Sequence, residues 1–412
     1  MKAGSCQSGT PMSHIVIIGA GQAGAALAAK LRALGHDGPL TLIGDEAAPP
    51  YQRPPLSKKY LLGAMPVDRL YLRPPAFYAE AGIDLRLGET VTGIDRDRRR
   101  VLLGGREIGY DMLALATGAA PRRLPAEAGG ALEGVHVVRR LADVDAMAPE
   151  FRPGARALIV GGGYIGLEAA AVAATQGLQV TLTEAAPRIL QRVAAPETSD
   201  WFRALHAAHG VEIREATGLV RLLGETRVSG AELADGSVIA ADFVIAGIGV
   251  TPATALAEAA GLRTEAGIAV DAMGRTADPA IWAAGDCTSL PYRGGRIRLE
   301  SVQNAIDQAE AVAANMLGAE TPYVPKPWFW SDQYDVKLQI AGLNSGYDRV
   351  VIRPGDRDGG VSHWYYRGAE LLALDAMNDP RAYMTAKRLI EAGRSPAPES
   401  VAAGDLKALM AA

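Results

Sequence analysis

The chain has 412 residues, of which 49% are hydrophobic and 21% are charged, and its formal net charge is −4. At roughly 100 to 200 residues per domain, this length predicts several domains. The slightly negative charge gives no reason to expect nucleic acid, which attracts strongly basic surfaces. No apolar run reaches the roughly 18 residues of a membrane span, so we expect no membrane segment.

Cys6 and Cys287 are the two cysteines of the sequence. They lie far apart, so the sequence predicts neither a structural disulfide nor a thiolate cluster. The histidines show no metal-ligand spacing, and we expect no bound metal. The first dozen residues lack the apolar core of a signal peptide, which favours a cytoplasmic location. We interpret residues 1–12 as a flexible tail, with Met12 as a possible start of translation.

The first predicted unit begins with the strand HIVIIG, which leads into an alanine-rich helix that ends near Leu34. The strand LTLIG, Leu40–Gly44, follows, which makes one strand–helix–strand unit. Further along, YDMLALATGAAPRRLP, Tyr110–Pro125, indicates a buried strand that is broken at Thr117 and Gly118. We interpret this segment as the point where the chain passes into a second domain.

The same order of elements recurs in the second unit. The strand ALIVGG precedes a helix over Tyr164–Gln176 and a strand over Gln179–Glu184. The segment Asp242–Pro252 ends this unit as Tyr110–Pro125 ends the first, and AIWAAGDC, Ala280–Cys287, adds a short buried strand. Alternating strands and helices predict parallel sheets covered by helices. The chain is therefore expected to leave its first domain, build a second, and return.

A third part follows the proline-rich linker TPYVPKPW, Thr321–Trp328. The segments KLQIAGL, DRVVIRP, VSHWYYRG and ELLALDAM predict antiparallel strands, and a helix is expected near Pro380–Ala392. The predicted fold class is α/β, with two Rossmann-like dinucleotide-binding domains and a C-terminal α+β domain. The expected domains are 13–120 with 250–325, 121–249, and 326–412.

Glycines recur at fixed positions in the two strand-to-helix turns. GAGQAG carries Gly19, Gly21 and Gly24, and GGGYIG repeats the spacing at Gly161, Gly163 and Gly166. In such a turn the first glycine permits the bend, the second lets a pyrophosphate approach the backbone, and the third lets helix and strand pack closely. The free amides at the start of the helix then receive the phosphates. One such turn is weak evidence, but each copy here follows a strand and opens a helix.

An acidic residue ends the next strand in both units, about 20 residues after the turn. These residues are Asp45, or Glu46 beside it, and Glu184. A carboxylate there accepts hydrogen bonds from ribose hydroxyls and repels a 2′-phosphate, so Glu184 favours NADH over NADPH. The alternative is an acidic residue at a solvated strand end. Two such sites predict a resident flavin and a visiting nicotinamide that exchange hydride.

The sequence resembles a known family through an ordered set of motifs. These are GAGQAG, YQRPPLSK, LATGAAPR, GGGYIGLE, IAGIGVTP, AAGDC, ESVQNA and PWFWSDQY. Together they are similar to the FAD-dependent NADH:ferredoxin reductases of bacterial monooxygenase and dioxygenase systems. The resemblance implies a glutathione-reductase-like fold, with FAD bound by the first domain and NADH by the inserted one. It also implies electron transfer to a two-iron two-sulfur ferredoxin that serves a haem monooxygenase or a Rieske dioxygenase.

The resemblance assigns cofactor contacts residue by residue. On the FAD side they are Gly19, Gly21, Ala23, Gly24, Asp45, Lys58, Val91, Arg139, Asp286 and Val302. On the NADH side they are Gly161, Gly163, Tyr164, Ile165, Gly166 and Glu184.

Three residues are candidates for a role in the chemistry. A cation near the flavin would stabilise the negative charge of the reduced ring, and we assign this role to Lys58, whose alternative is an ordinary surface lysine. Glu168 is expected to pair with Lys58, although a charge favoured by the helix dipole is an equally simple explanation. The resemblance puts Trp330 at the flavin edge where the electron acceptor approaches. The alternative for Trp330 is a core aromatic of the third domain.

Other functions share this architecture. A disulfide reductase needs a redox-active cysteine pair near the first flavin loop, and YQRPPLSKKYLLG contains none. Peroxidase-like relatives with one active-site cysteine are disfavoured for the same reason. An NADH oxidase that reacts directly with oxygen stays open, as does a non-catalytic flavoprotein that senses NADH.

Overall fold

The structure is a computed structural model, and it describes residues 13–356 and 359–411. The tail expected over residues 1–12 lies outside the described residues.

Helices and strands alternate along the described part of the chain. The helices are α1 (Gln22–Ala33), α2 (Pro75–Glu80), α3 (Leu141–Met147), α4 (Tyr164–Thr175), α5 (Pro196–Ala208), α6 (Ala255–Ala259), α7 (Val302–Met316), α8 (Pro380–Glu391), α9 (Pro398–Ala403) and α10 (Leu406–Ala411). The strands before residue 200 are β1 (Ile15–Ile18), β2 (Leu40–Gly44), β3 (Asp84–Leu87), β4 (Gly93–Asp95), β5 (Arg100–Leu103), β6 (Arg106–Gly109), β7 (Met112–Leu115), β8 (Ala119–Pro121), β9 (Val135–His136), β10 (Arg156–Val160) and β11 (Gln179–Thr183). The later strands are β12 (Glu212–Arg214), β13 (Leu219–Leu223), β14 (Gly230–Leu233), β15 (Val238–Ala240), β16 (Phe243–Ala246), β17 (Val250–Pro252), β18 (Ile268–Ala269), β19 (Ile281–Ala283), β20 (Thr288–Tyr292), β21 (Gly295–Ile297), β22 (Trp328–Gln333), β23 (Val336–Gly342), β24 (Arg349–Pro354), β25 (Val361–Arg367) and β26 (Glu370–Met377).

The chain divides into two compact units. The first unit comprises the residues up to Gln52, Tyr71–Ala119 and Pro252–Pro325. The second comprises Arg53–Leu70, Ala120–Thr251 and the residues from Lys326 onwards.

The first unit contains a parallel sheet with strand order β19-β7-β1-β2-β3. Its central strand is buried on both faces, as expected for a parallel sheet between covering layers. Ile15 and Ile17 pack on one face with α1 and α7, and Val16 and Ile18 pack on the other. Because strands β1 and β2 end at the same sheet edge, α1 begins where their carboxyl ends lie.

The second unit repeats this plan around a parallel sheet with strand order β12-β11-β10-β16-β9. Helix α4 follows β10 as α1 follows β1. The antiparallel strands β13, β14 and β15 pack against this sheet through Leu222 and Leu233.

The C-terminal part of the second unit is an antiparallel sheet with strand order β22-β23-β26-β25-β24. Helix α8 lies on it and buries Ala382, Ala386 and Leu389 against the fully buried Trp364. Asp379 caps α8 by accepting from the Ala382 amide at 3.0 Å. The predicted antiparallel strands and the helix after Pro380 are confirmed.

The predicted α/β fold class is confirmed, including the two similar strand–helix–strand units. None of the helices in the described residues has the length and apolar character needed to cross a membrane.

Candidate functional site

The first glycine turn connects β1 to α1. Gly19 has φ +111°, and a Cβ there would lie 2.2 Å from the Ala116 carbonyl oxygen. At Gly24 a Cβ would lie 1.9 Å from the Gly19 oxygen, so the third glycine is required for helix–strand packing. A Cβ at Gly21, by contrast, would meet nothing within 4 Å. The space beside Gly21 is therefore open to a ligand.

The second turn, between β10 and α4, has the same geometry. Gly161 has φ +107°, and a Cβ there would lie 2.5 Å from the Gly247 oxygen. A Cβ at Gly166 would lie 2.0 Å from the Gly161 oxygen, whereas one at Gly163 would meet nothing within 4 Å. Each turn thus combines two glycines required for packing with one that faces open space. This is the arrangement that a dinucleotide pyrophosphate needs, and the residues present fit one dinucleotide at each turn.

Other predicted FAD contacts lie close to the first turn. A Cβ at Gly285 would lie 2.9 Å from that of Ala23, so the AAGDC segment with Asp286 packs against the start of α1. The Gly285 amide donates to Gln308 of α7 at 2.9 Å. Val302 is the first residue of α7, whose cap Ser301 accepts from the amide of Asn304. The first unit therefore brings Ala23, Asp286 and the α7 segment together.

Two predicted FAD contacts have different surroundings. Asp45 is exposed after β2, and its neighbour Glu46 accepts a 2.5 Å hydrogen bond from the Tyr51 hydroxyl. Val91 is buried among core side chains that include Ile18 and Ile43. The packing of Val91 in this core explains its residue type without a ligand, and its contact with the cofactor stays a prediction.

Glu184 follows β11 and lies directly beside the second glycine turn. Its carboxylate accepts from the Gly162 amide and from the Ala186 amide, both at 2.7 Å. The nearby Arg188 donates to the Ser199 hydroxyl at 2.5 Å and to the Ala194 carbonyl at 2.8 Å. The carboxylate is fixed next to the turn, while the guanidinium is engaged elsewhere. This arrangement suits a ribose with free hydroxyls better than one that carries a 2′-phosphate.

Tyr164 and Ile165 open helix α4. The Tyr164 ring lies 4.9 Å from that of Phe329 on β22, measured between ring centroids. Its hydroxyl is buried without a hydrogen-bond partner among the described residues, and burial raises the Tyr164 pKa well above its ordinary value. Ile165 is 41% exposed, so this residue is accessible at the start of the helix.

Lys58 and Glu168 form an ion pair with an Nζ–Oε2 distance of 2.8 Å. Lys58 follows a 3-10 turn over Pro54–Ser57, and Glu168 lies on α4 with only 4% of its surface exposed. The same carboxylate accepts from the hydroxyls of Ser57 at 2.6 Å and Ser331 at 2.7 Å. The pairing expected from the sequence is therefore present, and it joins the Lys58 loop, α4 and β22 within the second unit.

Arg139 and Trp330 also lie in the second unit. The Arg139 carbonyl accepts from the Arg53 guanidinium at 2.6 Å, which ties Arg139 to the segment that leads to Lys58. Trp330 is partly buried on β22, and its ring lies 5.6 Å from that of Trp328.

Strand β22 was not predicted from the sequence, and neither were the side chains that it directs towards α4 and α5. Side chains alternate along a strand, so Phe329, Ser331 and Gln333 share one face and Trp328 and Trp330 the other. The first face contacts Tyr164, Glu168 and His206, respectively. The signal that was available is the run of three aromatic residues in WFWSDQ, a residue type enriched in strands, which the neighbouring prolines obscured.

Two open glycine turns at the ends of parallel strands define a protein that holds two dinucleotides. The chain matches the model of the pyridine nucleotide-disulphide oxidoreductases over residues 13–309 and that of the reductase C-terminal domain over residues 328–410. The protein belongs to the pyridine nucleotide-disulphide oxidoreductase family, and the resemblance to its ferredoxin reductases is confirmed.

Named relatives match along nearly the whole chain. A ferredoxin–NAD(P)(+) reductase of Sphingomonas is 44% identical over 384 residues, which cover 92% of each protein. Rhodocoxin reductase of Rhodococcus erythropolis is 43% identical over 396 residues, which cover 95% of this chain and 92% of the relative. The reductase in a crystal structure of the covalent putidaredoxin reductase–putidaredoxin complex is 39% identical, with a TM-score of 0.93 over 98% of this chain and 99% of that one. The protein is accordingly an oxidoreductase that uses FAD and NADH.

Proposed function

We propose that this protein is the reductase component of an oxygenase system and passes electrons from NADH, through FAD, one at a time to a two-iron two-sulfur ferredoxin. The observation that carries the proposal is the pair of open glycine turns, each beside its own parallel sheet. Relatives named as ferredoxin reductases, and one solved with putidaredoxin, support the choice of acceptor. The oxygenase would be a haem monooxygenase or a Rieske dioxygenase, and we propose that the protein works in the cytoplasm.

We assign the two cofactors to the predicted domains. Residues 13–120 and 250–325 would hold FAD, residues 121–249 would hold NADH, and residues 326–412 would form the C-terminal domain. The chemistry that bound FAD would supply is the conversion of a hydride from NADH into single electrons for the acceptor. The chain's own residues then need to bind and align the cofactors rather than supply a strong acid or base.

Six of the predicted residues have a defined task in this scheme. The amides beside Gly21 would hold the FAD pyrophosphate, and those beside Gly163 the NADH pyrophosphate. Glu184 would accept hydrogen bonds from the hydroxyls of the adenosine ribose of NADH. Lys58, held by Glu168, would place a positive charge beside the flavin, and Trp330 would lie where the acceptor approaches.

Cysteine chemistry does not support the alternatives that depend on a reactive thiol. Among the described residues Cys287 is the free cysteine, and it is fully buried next to the Leu115 and Ala284 carbonyls. Burial raises its thiol pKa, which disfavours the reactive thiolate. A thiol-based disulfide reductase or peroxidase therefore has no candidate nucleophile in the described residues.

The test is steady-state electron transfer with purified protein loaded with FAD. NADH oxidation is coupled to cytochrome c reduction with and without a two-iron two-sulfur ferredoxin of the putidaredoxin type, and ferricyanide serves as a partner-independent acceptor. We expect the ferredoxin to raise cytochrome c reduction at least tenfold. Rapid ferricyanide reduction without any ferredoxin effect would contradict the proposed acceptor. Slow flavin reduction with a long-lived NADH complex would instead favour an NADH sensor.

A further inference from the structure

A row of buried polar side chains extends from the Lys58–Glu168 ion pair into the second unit. Beyond Glu168 it continues through Ser331 and Gln333 of β22 to His206 of α5. Ser331 and His206 are fully buried, and Gln333 is 1% exposed. Polar groups buried to this extent cost stability unless each is hydrogen-bonded, and the contacts of this row show how that requirement is met.

The Glu168 carboxylate receives donors at both of its oxygens. Lys58 and Ser57 donate to Oε2, whereas Ser331 alone donates to Oε1 among the hydrogen bonds of the described residues. Loss of the Ser331 hydroxyl would leave Oε1 buried without a donor. The carboxylate would then rotate or shift to recover a partner, and the Lys58 ammonium would move with it.

Ser331 itself is oriented by its neighbour two residues along the strand. The Gln333 amide nitrogen lies 3.2 Å from Ser331 Oγ, and the Gln333 amide oxygen lies 2.8 Å from His206 Nε2. Because an amide oxygen only accepts, His206 Nε2 carries the proton. Tyr334 then donates to His206 Nδ1 across 3.3 Å. The Ser331 oxygen accepts from Gln333, so its single hydrogen is directed to Glu168.

The hydrogen bonds of this row are therefore all donated in the direction of the carboxylate. We propose that Ser331 and Gln333 are positioning residues, which hold Glu168, and through it the Lys58 ammonium, in the orientation in which Lys58 acts on the bound flavin. The inference rests on the proposed function, since that is where Lys58 is assigned to the flavin. A charge–charge interaction weakens as the distance between the charges grows, so an ammonium that moves away from the flavin stabilises its reduced form less.

The experiment measures the midpoint potential of the bound flavin by anaerobic titration of the full-length, FAD-loaded protein against a reference dye. For Ser331→Ala we expect a tenfold loss in the equilibrium constant for two-electron reduction, which corresponds to a potential lower by about 30 mV. Ser331→Thr retains the hydroxyl and is expected to keep the wild-type potential. Gln333→Met removes the donor to Ser331 and is expected to shift the potential in the same direction, which keeps the test available should Ser331→Ala fold poorly.

Ser362→Ala is the matched control. Ser362 is fully buried on β25 of the same sheet, and its oxygen accepts from the Trp364 indole at 3.1 Å, outside the row. This variant is expected to lower thermal stability while the flavin potential stays at the wild-type value. A comparable potential shift in Ser362→Ala would show that removal of any buried hydroxyl from the sheet changes the flavin potential, and this result would overturn the proposal.

A double-mutant cycle tests whether Ser331 acts through Lys58. Lys58→Met alone is expected to lower the potential, and adding Ser331→Ala to it is expected to cause no further shift. Additive shifts would overturn the inference, as would a wild-type potential in either single variant. Ferredoxin-dependent cytochrome c reduction by the wild-type protein is measured separately, so failure of the proposed function is distinguishable from failure of the positioning role.

Discussion

Glu184 is the residue that we expect to set coenzyme preference. Two backbone amides fix its carboxylate beside the second glycine turn, at 2.7 Å each. Glu184→Ala removes a charged acceptor for ribose hydroxyls, and hydrogen bonds to charged groups contribute about 1.5–3 kcal/mol. We expect kcat/KM for NADH to fall about tenfold or more and that for NADPH to fall less. Steady-state kinetics with both coenzymes measure the ratio.

The control for this prediction is Glu212→Ala. Glu212 lies on the neighbouring strand β12, and its carboxylate pairs with Arg214 at 2.8 Å. Its removal changes the net charge by the same amount without affecting the turn. An unchanged NADH-to-NADPH ratio in Glu184→Ala, or an equal change in Glu212→Ala, would contradict the assignment.

His206 makes the stability of the protein depend on pH. Burial lowers its pKa from 6.5 to about 4. Its stabilising contribution is therefore fully present above about pH 6.5 and is lost as the pH falls towards 4, because the unfolded chain binds the proton first. Between pH 8 and pH 5 this corresponds to a loss of about 2 kcal/mol. His206→Gln retains a side-chain N–H but does not titrate. Its free energy of unfolding, measured with denaturant, should therefore fall by correspondingly less between pH 8 and pH 5. Parallel profiles would refute the prediction.

At the scale of the element, substitutions at two glycines of the same turn should have different effects, one on NADH binding and the other on stability. A Cβ at Gly163 meets open space, and its φ of −82° suits any residue, so Gly163→Ala should keep the wild-type thermal transition. The added methyl would occupy the approach of the pyrophosphate and raise KM for NADH about tenfold. Gly166→Ala, by contrast, places a Cβ 2.0 Å from the Gly161 oxygen and should cost about 1–3 kcal/mol of stability.

These two variants check each other through thermal unfolding and NADH kinetics measured on the same preparations. If Gly163→Ala destabilised the protein as much as Gly166→Ala, the space beside Gly163 would be part of the fold and not a binding surface. If Gly163→Ala left KM unchanged, the pyrophosphate would not approach there.

The sequence predicted the strand–turn–helix elements well because their signals are local. Strand β2 matches the predicted Leu40–Gly44, and α4 ends one residue before the predicted Gln176. Glycines required by tight contacts, together with apolar runs that end in an acidic residue, carry that information within about 30 residues. Strand β22 was missed because tryptophans next to prolines are equally typical of a linker.

The row of buried polar side chains from Glu168 to His206 could not be predicted from the sequence. Ser331 is 163 residues from Glu168, and Gln333 is 127 residues from His206. Serine, glutamine and histidine carry no spacing signature of their own, so only the folded chain shows which of them meet. The Lys58–Glu168 pair was accessible because both residues lie in recognisable motifs, RPPLSK and GGGYIGLE.

At the scale of the whole molecule, each compact unit contains one glycine turn with open space beside its second glycine. The turns are similar, so they do not by themselves explain why one dinucleotide stays bound and the other exchanges. The first turn has additional neighbours in the AAGDC segment and in α7, through the contacts of Gly285. These added contacts are consistent with a resident cofactor at the first turn.

Removal of FAD should therefore lower the thermal stability of the whole protein. A ligand that binds only the native state stabilises it by about 2.7 kcal/mol at one hundred times its Kd, which corresponds to a transition higher by about 3 °C or more. Differential scanning fluorimetry of the colourless apoprotein should show this loss, and added FAD should restore the wild-type transition. FMN lacks the AMP half of FAD, and with it the pyrophosphate that the glycine turn is expected to hold, so it should restore little. Equal rescue by FMN would mean that the first turn does not bind the pyrophosphate.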